Sequence, residues 1–171
     1  MKKILILFSA VLTLASCVSY DDYYKLDAGY LARRQLETRR FETNNEDAML
    51  IASAQVLQDL GFAIDESETK LGLITASKSR EAGSTAGKVA IIALAAIGGT
   101  QPVYDTNQKI HVMLVSTRAR GAKGFNVRVE FTRMIWNNRN ETRIERIKDR
   151  DIYADFFDKL GQSLFLTAND I

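Results

Sequence analysis

The sequence holds one cysteine and one histidine in 171 residues, and almost no charge excess, 23 Lys and Arg against 21 Asp and Glu. Each scarcity removes a class of protein. A lone cysteine, Cys17, allows no intramolecular disulfide and no thiolate-rich zinc site. A lone histidine, His111, allows no multi-histidine metal centre, so only carboxylates remain as metal ligands. Near-neutral charge gives no global field for nucleic acid. What is present is ordinary: 46% hydrophobic residues and a length suited to one globular domain.

The first residues are different in kind. Met1, Lys2 and Lys3 precede an uncharged, mostly apolar run from Ile4 to Ser16. A basic start followed by a short apolar run is the pattern of an export signal. The run is too short for a bilayer core of about 30 Å, which takes around 20 helical residues. It also lacks a polar face, because Ile4, Leu5, Ile6, Leu7 and Phe8 are consecutive, so it does not read as an amphipathic helix.

The run ends in Leu14-Ala15-Ser16-Cys17, which resembles the bacterial lipobox. That resemblance implies cleavage before Cys17, a diacylglyceryl group on its thiol and an acyl chain such as palmitate on its new amino group. No other cofactor is expected. Several acyl chains anchor a protein stably where one is marginal, at about 0.8 kcal/mol per buried methylene. By analogy with sorting in enterobacterial lipoproteins, Val18 and Ser19 after the cysteine imply the outer membrane, periplasmic side, rather than the inner membrane. Removal of residues 1–16 also removes two basic side chains and no acidic ones, which leaves 21 of each. Lipid, not charge, would then hold the protein to its membrane.

Residues 17–42 read as a lipidated tether, with tyrosines and arginines in no sustained period and a possible short helix from Ala28 to Leu36. A single domain is expected over 43–171. Thr43 and Glu46 have capping-box spacing, Met49, Ala52, Val56 and Leu60 recur at helical steps, and Gly61 sits where a left-handed cap belongs. These predict a helix over 44–60. Phe62-Ala63-Ile64 and Leu71 to Ser77 alternate as a hairpin around a polar loop, Asp65 to Lys70. Ile110, Val112 and Leu114, then Phe125, Val127, Val129 and Phe131, alternate as two longer strands. Glu141 to Ile147 can return as another strand after the turn at Asn137 to Asn140. Asp149 then caps a last helix with Tyr153, Phe156, Phe157, Leu160 and Leu164 on one face.

Paired strands with helices at either end predict an α+β, two-layer sandwich. The expected antiparallel sheet has about four or five strands, with two amphipathic helices on one face. A short apolar helix over 87–97 completes it, ended by Gly98-Gly99 and Pro102.

No chemistry-bearing constellation is complete. Gly83-Ser84-Thr85-Ala86-Gly87-Lys88 has three residues between its glycines and Val89 after the lysine, so it fails as a phosphate loop. His111 lies on the polar side of its strand with no nucleophile indicated. Asp65, Glu66 and Glu68 lack the glycine of a calcium loop. Arg139, Arg143, Arg146, Lys148 and Arg150 alternate with Glu141, Glu145, Asp149 and Asp151, which predicts local neutralisation. The expectation is no catalytic residues and no metal. In the 87–97 block Lys88 is the one charge, so Val89, Ile91, Ile92, Leu94 and Ile97 form a candidate interaction surface or a self-association surface.

From Phe41 onward the chain resembles an uncharacterised family of proteobacterial outer-membrane lipoproteins. The residues are Thr38-Arg39-Arg40-Phe41, Val56-Leu57-Gln58-Asp59-Leu60-Gly61-Phe62, Gly72 to Lys78, and Phe156-Phe157-Asp158-Lys159-Leu160. A helix ending in Leu-Gly-Phe before a hairpin is also distantly similar to small domains of the lipoprotein subunits of the β-barrel assembly machinery, a likeness of fold alone. The resemblance implies a non-enzymatic lipoprotein with an envelope protein partner. The alternative is a ligand-binding module for lipid or peptidoglycan fragments that uses the apolar 87–97 segment.

Overall fold

The computed structural model describes Leu26, residues 28–83, Lys88, Ile91, Ile92, residues 102–121 and residues 123–168. The expected signal, Leu14, Ala15, Ser16 and Cys17 lie outside the described residues. So does most of the 87–97 block, including Val89, Leu94 and Ile97; Lys88, Ile91 and Ile92 are helical. The chain divides into a unit over Met1–Leu31 and one over Ala32–Ile171. In the first, the described residues are Leu26 and 28–31.

Helix α1 (Tyr30–Glu37) leads into strand β1 (Thr38–Phe41). Helix α2 (Glu46–Asp59) follows, then β2 (Ala63–Glu68), β3 (Leu73–Glu81), β4 (Asp105–Arg118), β5 (Phe125–Asn137), β6 (Thr142–Arg146) and helix α3 (Arg150–Ala168). The six strands form one sheet in the order β1-β5-β4-β3-β2, with β6 also on β5. All pairings are antiparallel. The α+β, two-layer expectation holds, and the sheet has one strand more than expected.

The extra strand is β1, taken from the segment expected to be tether. Phe41 stands opposite Phe125, and Arg39 opposite Val127. Arg39 therefore points to the core side, where its guanidinium lies 5.0 Å from the Phe157 ring centre and bonds Asp158 at 2.6 Å. A charged residue in an inward position hides the alternation. Gly124 makes room for β1: at φ +95° it is in the left-handed region, and a Cβ there would come within 2.0 Å of the Phe41 carbonyl oxygen.

Helix α2 begins two residues later than the capping-box reading. Asn45 is the cap and accepts from the Ala48 N–H at 3.0 Å, while Thr43 Oγ accepts from Asn45 N–H. Glu46 turns instead to the sheet, accepting from Ser116 Oγ at 2.8 Å. The helix ends as expected: Gly61 at φ +82° donates to Gln58 O and Phe62 to Leu57 O, which is a Schellman closure. The hairpin loop is shorter than expected, because Asp65 to Glu68 belong to β2, with an irregularity in register between Ile64 and Glu66.

The core lies between the sheet and α2 and α3. Ile74, Ala76, Val112, Leu114, Phe125, Val127, Val129 and Phe131 supply the floor, and Met49, Leu57, Tyr153, Phe156, Phe157 and Leu160 the helical layer. Phe131, Tyr153, Phe156 and Phe157 pack edge to face, with centroids 5.3–5.9 Å apart. β1 pairs with the first part of β5 and β6 with the last, which leaves a short unpaired stretch between them. There Ile147 N–H donates to Phe131 O at 2.9 Å, and Tyr153 Oη accepts from Phe131 N–H while donating to Ile147 O at 2.9 Å. Burial first, and nearby carboxylates after the opposing hydrogen bond, raise the Tyr153 phenol above its ordinary value.

Candidate functional site

The expected candidate surface is described at two positions. Ile91 and Ile92 are both exposed, and Lys88 Nζ reaches Thr106 O at 3.4 Å.

His111 is half-buried on the sheet face away from α2 and α3. Its register partners are Ser77 on β3 and Thr132 on β5. Asp65 reaches Ser77, so a serine with an acidic partner stands next to the histidine in register, which no spacing in the sequence announced. The hydrogen bonding is wrong for a nucleophile, however. Ser77 Oγ donates directly to Asp65 Oδ1 at 2.9 Å, so its proton is held by the carboxylate rather than presented to an imidazole. The acidic cluster does not gather either: Asp65 bonds Ser77, while Glu66 and Glu68 are exposed on the edge strand. Among the described residues, no group of His, Cys, Asp and Glu could hold a metal ion.

Arg143 and Arg146 of the basic run are paired, partly with unexpected acids. Arg143 grips both Asp105 oxygens at 2.6 and 2.7 Å and bonds Glu145 at 2.8 Å. Glu145 also accepts from Arg133 at 2.6 Å. The Arg143 hydrogen bond is the main cause that lowers both carboxyls below their ordinary values. Arg146 pairs with Glu130 at 2.7 Å rather than with an acid in its own run. Glu130 and Glu37 share Arg128, each 3.3 Å away. Glu37 is the most buried charge described, fully covered, and its Oε1 has no hydrogen-bond partner.

Two surfaces remain as candidates. The first is the sheet face opposite α2 and α3, where Met113 and Ile144 are exposed beside half-buried Trp136, Met134 and His111 and the Arg128–Glu130–Arg146 chain. The second is a cleft of about 230 Å³ on the helical side. It opens where α2 has ended and α3 begins, over Ile110 and Phe131, walled by Leu60, Phe62, Ile147 and Ile152, with Lys78, Arg80 and Asp155 at its edge. The sequence carried a signal for it. Ile74, Ala76, Lys78 and Arg80 share one face of β3, so that face changes from apolar to basic where the helical layer stops.

No protein-family model matches the chain, and no curated protein matches it. No helix among the described residues is long and apolar enough to cross a membrane.

Proposed function

We propose that this chain is a lipoprotein anchored through acyl chains on Cys17 to the outer membrane, facing the periplasm. Its α+β domain acts without catalysis, by binding a protein partner in envelope assembly or maintenance. The observation that carries the reading is Leu14-Ala15-Ser16-Cys17 directly behind an uncharged apolar run, ahead of a compact two-layer unit over Ala32–Ile171. The resemblance to proteobacterial lipoproteins points the same way.

The open sheet face supports partner binding. It mixes exposed Met113 and Ile144 with an aromatic ring and paired charges. That is the composition of a non-obligate interface, in which Met, Trp and Arg are over-represented around a small apolar centre. Such a face buries little on its own and needs a complementary partner.

The test places a photoreactive residue at Met113 or Ile144 in cells making the full chain. The expected result is one reproducible envelope protein captured from both positions and lost when Cys17→Ala blocks anchoring. Capture of nothing, or identical capture without the anchor, contradicts the reading. A band at twice the chain's own mass would replace the foreign partner with a second copy.

A further inference from the structure

We infer that the cleft between the end of α2 and the start of α3 binds a medium-chain aliphatic carboxylate, its tail over Ile110 and Phe131 and its carboxylate between Lys78 and Arg80. The assignment concerns a different face from the proposed partner surface and stands or falls separately from it.

The shape selects a small, apolar tail. Leu60, Phe62, Ile110, Phe131, Ile147 and Ile152 leave polar groups at the edge alone. Ile152 is 40% exposed at the mouth, an apolar side chain with one flank free to cover a guest. The volume of about 230 Å³ is below the usual 300–1,000 Å³ of drug-sized sites. At about 30 Å³ per water-sized group it accommodates roughly eight such groups. That describes one short alkyl chain, not a full phospholipid.

The charge selects the head. Lys78 Nζ is fixed at 2.7 Å from the Leu60 carbonyl and 5.7 Å from the Phe62 ring centre, so it caps α2 and still has two N–H groups to offer. Arg80, next on the same face, has no ion-pair partner among the described residues. Across the mouth, Asp155 is already paired with Lys159. Two cations beside an apolar floor, with Asp155 the one carboxylate in the lining and engaged by Lys159, complement a group that is anionic at one end and aliphatic at the other.

The test titrates the full chain, held in lipid nanodiscs, with butanoate, hexanoate, octanoate, dodecanoate and octanol. Methyl resonances of Ile110, Ile147 and Ile152 report occupancy at the cleft itself, apart from partition into the bilayer. Affinity is expected to rise about fourfold per methylene up to about eight carbons and then level off. Octanol should bind about tenfold more weakly than octanoate. Arg80→Glu, a change at an exposed side chain, should remove that advantage and leave octanol unaffected. Absence of methyl shifts with every carboxylate overturns the inference, as does equal binding of octanol and octanoate, or no response to Arg80→Glu. Shifts produced only by an apolar peptide would overturn it in favour of peptide docking.

Discussion

Glu37 offers the sharpest test of how the amino-terminal segment is fastened to the sheet. Its carboxylate is fully buried, with Arg128 Nε 3.3 Å from one oxygen and Arg33 Nε 3.9 Å from the other, beyond hydrogen-bond range. Breaking a buried pair by removing one member costs about 3–5 kcal/mol, because the remaining charge is stranded. Replacing the buried charge by an apolar group of similar volume is often neutral or stabilising, by about 1–4 kcal/mol. Arg128→Met and Glu37→Met should therefore differ sharply although they delete the same contact. For Arg128→Met we expect a loss of about 3 kcal/mol or more, since Glu130 keeps Arg146 but Glu37 keeps only the distant Arg33. For a unit of this size that is a fall in melting temperature of about 10 °C. Glu37→Met should change stability by no more than about 1 kcal/mol, and adding it to Arg128→Met should recover most of the loss. Urea unfolding of the three variants, with unchanged slopes, measures all of this. Equal costs for the two single changes would refute the reasoning, for the contact would then be an ordinary surface pair worth about 0–1 kcal/mol.

Other consequences follow from particular contacts. Gly124→Ala places a methyl group against the Phe41 carbonyl and forces a left-handed backbone on alanine, so the Thr38–Phe41 amides should lose hydrogen-exchange protection while those of β3 and β4 keep theirs. Tyr153→Phe leaves Phe131 N–H and Ile147 O without the hydroxyl that joins them, at a cost of about 1–3 kcal/mol by urea unfolding; a neutral result would mean that water replaces the hydroxyl freely. The lowered carboxyls of Asp105 and Glu145 contribute stability that is complete above the ordinary carboxylate range and is lost as pH falls through their lower folded-state values. Arg143→Ala should therefore be less stable than the parent at pH 7, with the gap closing as acid protonates both groups; a gap that persists at pH 2 would show that the arginine acts through packing.

Much of the fold was legible because its periodicities are strong. The α3 face of Tyr153, Phe156, Phe157 and Leu160 is buried as the 3.6-residue step requires, and the Val127, Val129, Phe131 alternation is the centre of the core. β1 was not legible. Four residues with two adjacent arginines carry too little apolar alternation, and Arg39 enters the inner face by stacking on Phe157 and pairing with Asp158. The cap of α2 lies two positions beyond the capping-box spacing because Thr43 and Asn45 are both good caps, and Ser116, distant in sequence, draws Glu46 away from the capping role. The cleft leaves little trace in the sequence for a related reason: it exists only where two helix ends, far apart in the chain, fail to meet over the sheet. Its one local trace is the change from Ala76 to Lys78 and Arg80 on a single strand face. The pairing of Ser77 with Asp65 was not legible, because Asp65 sits at the register irregularity between Ile64 and Glu66 and has no strand partner there.

On the proposed function, an acylated cysteine carries a folded binding domain at the membrane. Intact-mass analysis of the native protein, extracted from cell envelopes, tests it most directly. The expected result is a chain that starts at Cys17 and is heavier than its residues by a diacylglyceryl group and one amide-linked acyl chain. A chain that retains Met1 to Ser16, or one that starts elsewhere with an unmodified thiol, would contradict it.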